Sequence, residues 1–280
     1  MVIDFHAHTF PERIAARAIA GIQANCRSAA FTVGTEEALR RSMAEAGIDR
    51  AVLLPVATNP AKLASMNEAA MANPRENGLI RFGAMHPNAE DWKQQLEELA
   101  RAGVRGIKLH PVYQGVDITD PRYLRILEHC GQLGLIVGMH AGDEIAYPGQ
   151  VRCSPEMIGQ AMRQAGPVKL VLAHMGGWKN WDRVLEHIGP TEAYVDTSLS
   201  LGKIQPMDAE DGQEERLLLG KEEFCALVRQ LGSHRVMFGT DSPWGDQKGE
   251  LQTIEALELT EEEKTRILFE NAAGLLGFNT

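Results

Sequence analysis

At 280 residues, with 44% apolar and 24% charged side chains, the chain has the size and composition of one large globular domain or two small ones. A formal net charge of −10 without any lysine- or arginine-rich run argues against a nucleic-acid partner, and apolar runs such as AVLLPVA and KLVLAH are far too short to span a bilayer. Cys26, Cys130, Cys153 and Cys225 form no C-x-x-C pair, and the first segment carries Asp4 and two histidines where a secretory signal needs a basic start, so the expected compartment is the cytoplasm.

The first apolar run, MVIDFHAH, reads as a strand. Residues i and i+2 of a strand share a face, so His6 and His8 project their imidazoles side by side. That arrangement is awkward for packing and natural for gripping a metal ion. After it, one phrase recurs: a glycine closing a helix-like segment, then a short Val/Ile/Leu-rich run, then polar residues. EAG-IDRAVLLP, ENG-LIRFGAM, RAG-VRGIKLHP, QLG-LIVGMHAG, QAG-PVKLVLAHMGG, HIG-PTEAYVDTS and QLG-SHRVMFGTDS follow it in order. Glycine suits the position after a helix because it enters the left-handed conformation without penalty. The nearly continuous apolar runs suit strands covered on both faces. Together with the first run they make eight strands.

Helical segments lie between them. TDPRYLRILEHCGQLG opens with Asp120 as N-cap and Pro121 as first helical residue, and SPEMIGQAMRQAG repeats the device with Ser154 and Pro155. LTEEEKTRILFENAAGLL carries Thr260 and Glu263 in capping-box spacing. Alternating strands and helices imply right-handed crossovers and a parallel sheet, and eight units in this length favour an α/β fold of the (β/α)8 TIM-barrel type, formed as a single domain over 1–280. No Gly-rich phosphate fingerprint follows the first strand, which counts against a dinucleotide-binding sheet. Two stretches, about 11–35 and 199–220, exceed a connecting loop and read as insertions, either solvated surface or lids over the strand ends.

Reactive residues gather where strands end. His6 and His8 end the first strand, His86 the third, Lys108 and His110 the fourth, His140 the fifth, His174 the sixth and Asp241 the eighth. In a parallel barrel these ends converge on one mouth. A zinc-type ion takes about four ligands from imidazole and carboxylate, and His6, His8, His140 and Asp241 supply such a set. His129 and His187 fall late in helices, where terminal carbonyls are expected partners, and His234 enters the last strand from the opposite face.

Five motifs, DFHAH (4–8), GIKLHP (106–111), GMHAG (138–142), LAHMGG (172–177) and FGTDSPW (238–244), resemble those of the amidohydrolase superfamily, over essentially the whole chain. The likeness is strongest to the amidohydrolase-related branch that includes aminocarboxymuconate-semialdehyde decarboxylase and resorcylate decarboxylases, and the ending ILFENAAGLLG also resembles it. The resemblance implies a TIM barrel of the metallo-dependent hydrolase type, with one divalent ion on His6, His8, His140 and Asp241. Zinc is the foremost candidate and manganese the alternative. It also implies catalytic roles for Asp241 and His174. In two-metal relatives a carboxylated lysine bridges the ions, so Lys108 and His174 form the second-metal option, whereas a one-metal site leaves Lys108 for a substrate carboxylate or an internal aspartate. A single ion is the preferred reading.

Two reactions suit this set. In the first, a metal-activated water hydrolyses a small amide, lactone or ester, Asp241 accepting its proton and His174 stabilising the oxyanion. In the second, the ion orients a small carboxylic acid, aromatic or unsaturated, for non-oxidative decarboxylation. Hydrolysis leads. Around the mouth, Lys108, His110, Trp178 and Trp244 are the candidate substrate contacts, with Thr9, Gln114, Tyr147 and Ser198 as further liners, although the tryptophans equally suit loop packing. Arg152 and Lys179 lie farther along the same loops. The partners expected are a small-molecule substrate and, by analogy with related barrels, a second copy in a homodimer, with neither nucleic acid nor membrane.

Overall fold

The computed structural model describes residues 1–208 and 218–278 and shows a mixed α/β chain whose residues gather in two compact units, 1–53 with 196–280, and 54–195. Residues 209–217, inside the expected insertion at about 199–220, lie outside the described residues. Among those described, no helix is long and apolar enough to cross a membrane.

In the unit built from both ends of the chain, strand Ile3–Ala7 pairs in parallel with Arg50–Leu53. On its other side, Phe5 N donates to Phe238 O at 2.8 Å, just past strand Val236–Met237, and Thr197 N donates to Met237 O at 3.0 Å. Every residue of Ile3–Ala7 is buried, so Phe5 packs with Ile3 on one face while Asp4 and His6 occupy the other. Helix Glu36–Ala46 ends on Gly47 at φ 78°, the left-handed cap that the EAG phrase predicts. The expected insertion at 11–35 is mostly a helix, Glu12–Cys26. Its exit pairs with the start of the other insertion: Ala29 N donates to Gln205 O at 2.9 Å and Met207 N to Arg27 O at 3.0 Å. The two long stretches therefore brace each other within this unit.

In the other unit, five parallel strands run in the order Gly83–Ala84, Gly106–Leu109, Ile136–Met139, Lys169–Leu172 and Tyr194–Asp196. The register pairs Lys108 with Gly138 and Met139 with Leu172, which brings the ends carrying Lys108, His140 and His174 level. Gly106 is required by close approach, since a Cβ there would sit 2.4 Å from Ile136 O and 2.5 Å from the Phe82 ring. The ENG phrase departs from expectation. Asn77 and Gly78 both have positive φ and turn a short antiparallel hairpin, Arg75–Glu76 with Leu79–Arg81, rather than closing a helix. Asn-Gly is the strongest type I′ hairpin dipeptide, and that local preference overrides the repeat.

The helix caps follow the sequence. Ser154 and Thr260 accept from Met157 N and Glu263 N, and Asp120 accepts from Arg122 N. Replacing Asp120 by alanine is expected to cost about 1 kcal/mol in urea unfolding. Hydrogen bonds from Arg122 hold the Asp120 carboxyl down at about 2, below its ordinary 3.8. This stabilisation is therefore complete above about pH 4 and fades as pH falls through 2, so the wild-type and variant curves should converge in acid.

Candidate active site

The end of the first strand and the loop before Trp244 are knitted together by the backbone. Asp241 N donates to His6 O and His8 N to Ser242 O, each at 2.7 Å. Beneath them Asp4 accepts four hydrogen bonds, from His6 N, Thr240 N, Thr240 Oγ1 and Gln247 Nε2, between 2.6 and 3.1 Å. Burial nevertheless pushes its carboxyl up to about 6. Asp241 itself sits at φ 60°, a left-handed conformation that aspartate tolerates better than most residues and that aims its side chain at the histidines.

The result is a tight cluster. His8 Nε2 lies 2.9 Å from Asp241 Oδ1, His6 Nε2 lies 3.1 Å from His8 Nε2, and His6 Nε2 lies 3.5 Å from Asp241 Oδ1. Tetrahedral ligands at the usual zinc distances stand about 3.3 Å apart. On the other side of His6, Nδ1 is 2.9 Å from Asp196 Oδ2. A carboxylate only accepts, so Nδ1 carries the proton and Nε2 turns its lone pair toward His8 and Asp241. Spacing and donor chemistry both fit a divalent ion at His6, His8 and Asp241. Burial also drives Glu250 well above the ordinary carboxylate range, with Asp4, Asp241, Asp246 and Asp196 adding to the effect.

The second unit holds a different cluster. His140 Nε2 is 2.9 Å from the Asp143 carbonyl, which can only accept, so that nitrogen carries a proton. Burial, reinforced by His110, holds His140 well below its usual pKa and hence neutral, leaving a lone pair on Nδ1. That lone pair meets His174 Nε2 at 3.2 Å, with ring planes crossing at 68°. His174 and Met175 occupy consecutive left-handed positions, φ 58° and 53°, and Trp181 Nε1 secures the His174 carbonyl at 3.0 Å. Such strain costs about 1–3 kcal/mol per residue and is retained where geometry matters.

His110, His140 and Glu144 also approach one another, yet they do not form a metal centre. A metal lies near the plane of each imidazole that binds it. The His110 and His140 rings are stacked 4.1 Å apart within 11° of parallel, so no point within bonding distance of both lies near both planes. Instead His110 stacks on Tyr113 at 3.9 Å, its Nδ1 accepts from Tyr113 N, and its Nε2 faces Glu144 at 3.4 Å. His110 is thus a helix cap and a prop for the loop carrying Glu144.

Lys108 is almost completely buried, and its charge bears on both His140 and Cys153. Trp178 is buried and ties its loop to the one after His140 through hydrogen bonds to Ala141 and Asp143. Trp244 meets His8 edge-on at 6.0 Å and Phe10 at 6.4 Å, and its buried Nε1 has no hydrogen-bond partner among the described residues. Gln114 does not line a mouth. Its side chain donates to the carbonyls of Ala57 and Met85 and accepts from His110 N, an entirely internal use. Ser198 stands behind His6, and Arg152 is engaged by Asp117 at 2.9 Å. His129 bonds the Gln132 side chain and His187 the Arg183 side chain rather than helix-end carbonyls, and Glu97 and Glu156 stand near them at 3.4 and 3.6 Å. His86 caps its own turn by accepting from Asn88 N, and His234 lies in a short 3-10 turn before the last strand. Asp196, beside His6, is not marked by any of the motifs. The only signal for Asp196 was an acidic residue ending the seventh strand.

A family model described as Amidohydrolase matches residues 3–278. No curated protein matches the chain in sequence. Among solved structures, an uncharacterised TIM-barrel protein from Bordetella bronchiseptica superposes with TM-score 0.77 at 20% identity, covering 99% of this chain and 98% of that one. A protein assigned provisionally as a 2-pyrone-4,6-dicarboxylic acid hydrolase from Pseudomonas putida gives 0.66 at 22% identity, over 100% and 98%. The 2,6-dihydroxybenzoate decarboxylase from Rhizobium gives 0.67 at 12% identity, over 99% and 98%. At these identities the likeness shows the fold, which is that of the TIM-barrel amidohydrolases.

Proposed function

The chain belongs to the amidohydrolase family, and on that footing we propose that it is a metal-dependent hydrolase of a small amide, lactone or ester. The observation that carries this reading is the convergence of His6, His8 and Asp241, with donor atoms at ligand spacing and the His6 tautomer set for ligation. The family resemblance implies His140 as fourth ligand, and burial keeps its ring neutral. When bound, a divalent ion, zinc first and manganese second, supplies a Lewis acid that polarises a substrate oxygen and makes water a better nucleophile at neutral pH.

The chain's own groups do the rest. The Asp241 carboxylate accepts the proton released by the attacking water and returns it to the leaving nitrogen or oxygen. His174, whose Nε2–H already donates toward a lone pair, serves as donor to the oxygen that gains charge. Trp244, packed against His8, offers a flat apolar face beside the reacting group.

The resemblance to decarboxylases supports a second reading, since a 2,6-dihydroxybenzoate decarboxylase shares the fold along 99% of this chain. There the same residues would hold a carboxylic acid and deliver a proton to the carbon that loses CO2. Metal content per chain, measured by plasma mass spectrometry on wild type and Lys108→Ala, tests the shared premise. One equivalent in both is expected. Two equivalents falling in the variant would give Lys108 a bridging role. No bound metal after zinc and manganese are supplied would overturn the proposal. Lactone, ester and amide substrates, assayed beside aromatic carboxylates for CO2 release, then separate the two reactions.

A further inference from the structure

We propose that Asp196 is a positioning residue that locks His6 in its Nδ1–H tautomer and thereby presents the Nε2 lone pair to the ion. The inference rests on the reading of His6 as a metal ligand. His6 and Asp196 are 190 residues apart in sequence, and both are buried, at 1% and 2% exposure. Their contact at 2.9 Å is made in a region where water cannot substitute for a lost partner.

The hydrogen-bond arithmetic leaves one solution. Ser198 Oγ also lies 3.1 Å from His6 Nδ1 and could in principle donate to it. Its hydrogen is already committed, because Ser198 Oγ donates to Asp196 Oδ1, the shortest contact of the group. Ser198 N donates to the same oxygen at 3.0 Å. With its one hydrogen used, the hydroxyl can only accept from Nδ1, and Asp196 Oδ2 can only accept as well. Both neighbours therefore demand a proton on Nδ1. Packing supports the pairing from below: at Gly239 a Cβ would meet His6 Cβ at 3.0 Å and Asp196 Cβ at 3.2 Å, so glycine lets the three strand ends close up.

A carboxylate behind a ligating histidine fixes ring orientation and raises ligand basicity, and its removal usually weakens metal binding about 10–100-fold. Asp196→Asn keeps shape and one acceptor oxygen but loses the charge. Asp196→Ala loses the acceptor altogether. The expected result is graded, with zinc affinity in competition with a chromophoric chelator falling about tenfold in the first and about 100-fold in the second.

The decisive readout needs no bound metal. Long-range 15N–1H correlation spectra of the metal-free chain, with His6 assigned by its loss in His6→Asn, should show Nδ1–H in wild type and a shift toward Nε2–H in Asp196→Ala, while His8 is unchanged. A purely structural Asp196 would lower the melting temperature and leave the tautomer alone. Wild-type His6 in the Nε2–H form overturns the proposal without any variant, and so does zinc affinity within twofold of wild type in a folded Asp196→Ala. If wild type binds no zinc, the metal reading falls, and the spectra still decide whether Asp196 sets the tautomer.

Discussion

Asp241→Asn is expected to reduce turnover by about 10²- to 10⁴-fold while the far-ultraviolet spectrum and melting temperature stay close to wild type. Asparagine is the informative replacement. Asp241 sits at φ 60°, and asparagine tolerates that conformation as readily as aspartate, so the backbone bonds from Asp241 to His6 and from His8 to Ser242 should survive. The amide oxygen can still stand 2.9 Å from His8 Nε2, but it cannot take up a proton at neutral pH. Metal content measured beside kcat separates the two duties of the side chain. Metal kept with turnover lost assigns proton transfer to Asp241, whereas loss of both assigns it mainly a ligand's role. Turnover within a fewfold of wild type would remove Asp241 from the mechanism.

Gly142→Ala should produce the largest loss of stability, about 3 kcal/mol or more in urea unfolding with the m-value unchanged. Two costs add. Gly142 has φ +92°, a region that side chains rarely enter, and an added Cβ would lie 2.2 Å from Trp178 N and 2.4 Å from Trp178 O. Those are backbone atoms that cannot rotate away. They belong to the bridge between Gly142 and Trp178 that joins the loop after His140 to the loop after His174. Forcing it open should also disturb the 3.2 Å His140–His174 contact, so activity should fall even below the melting transition. A variant as stable as wild type would show that the two loops can slide past each other.

Much of this was legible in the sequence because it depends on neighbours along the chain. The caps at Asp120, Ser154 and Thr260 need only residues two or three positions away, and all three form. His6 and His8 share a face because a strand has a period of two, and the structure brings them with Asp241 into one cluster. The ENG phrase misled for an equally local reason, since Asn77-Gly78 satisfies the repeat by eye and a hairpin by energy. Gln114 misled differently. Its place after a strand end was correct, but the carbonyls of Ala57 and Met85 were within reach of its amide, and nothing in the order of residues announces that.

By itself, then, the sequence determined the rhythm of glycine-punctuated strands and helices, the caps, the family, and the types of residue that stand at the strand ends. The tertiary structure alone decided on which ring nitrogen His6 and His140 carry their protons. His6 carries its proton on Nδ1 because Asp196 arrives from far along the chain, and His140 carries its own on Nε2 because the Asp143 carbonyl turns back on it. It also decided that His110, Tyr113 and His140 stack as parallel plates rather than converge on an ion. Periodicity tells which face a side chain occupies. Only the close packing of distant segments sets the distances and ring angles that turn a face of histidines into a site with a defined set of lone pairs.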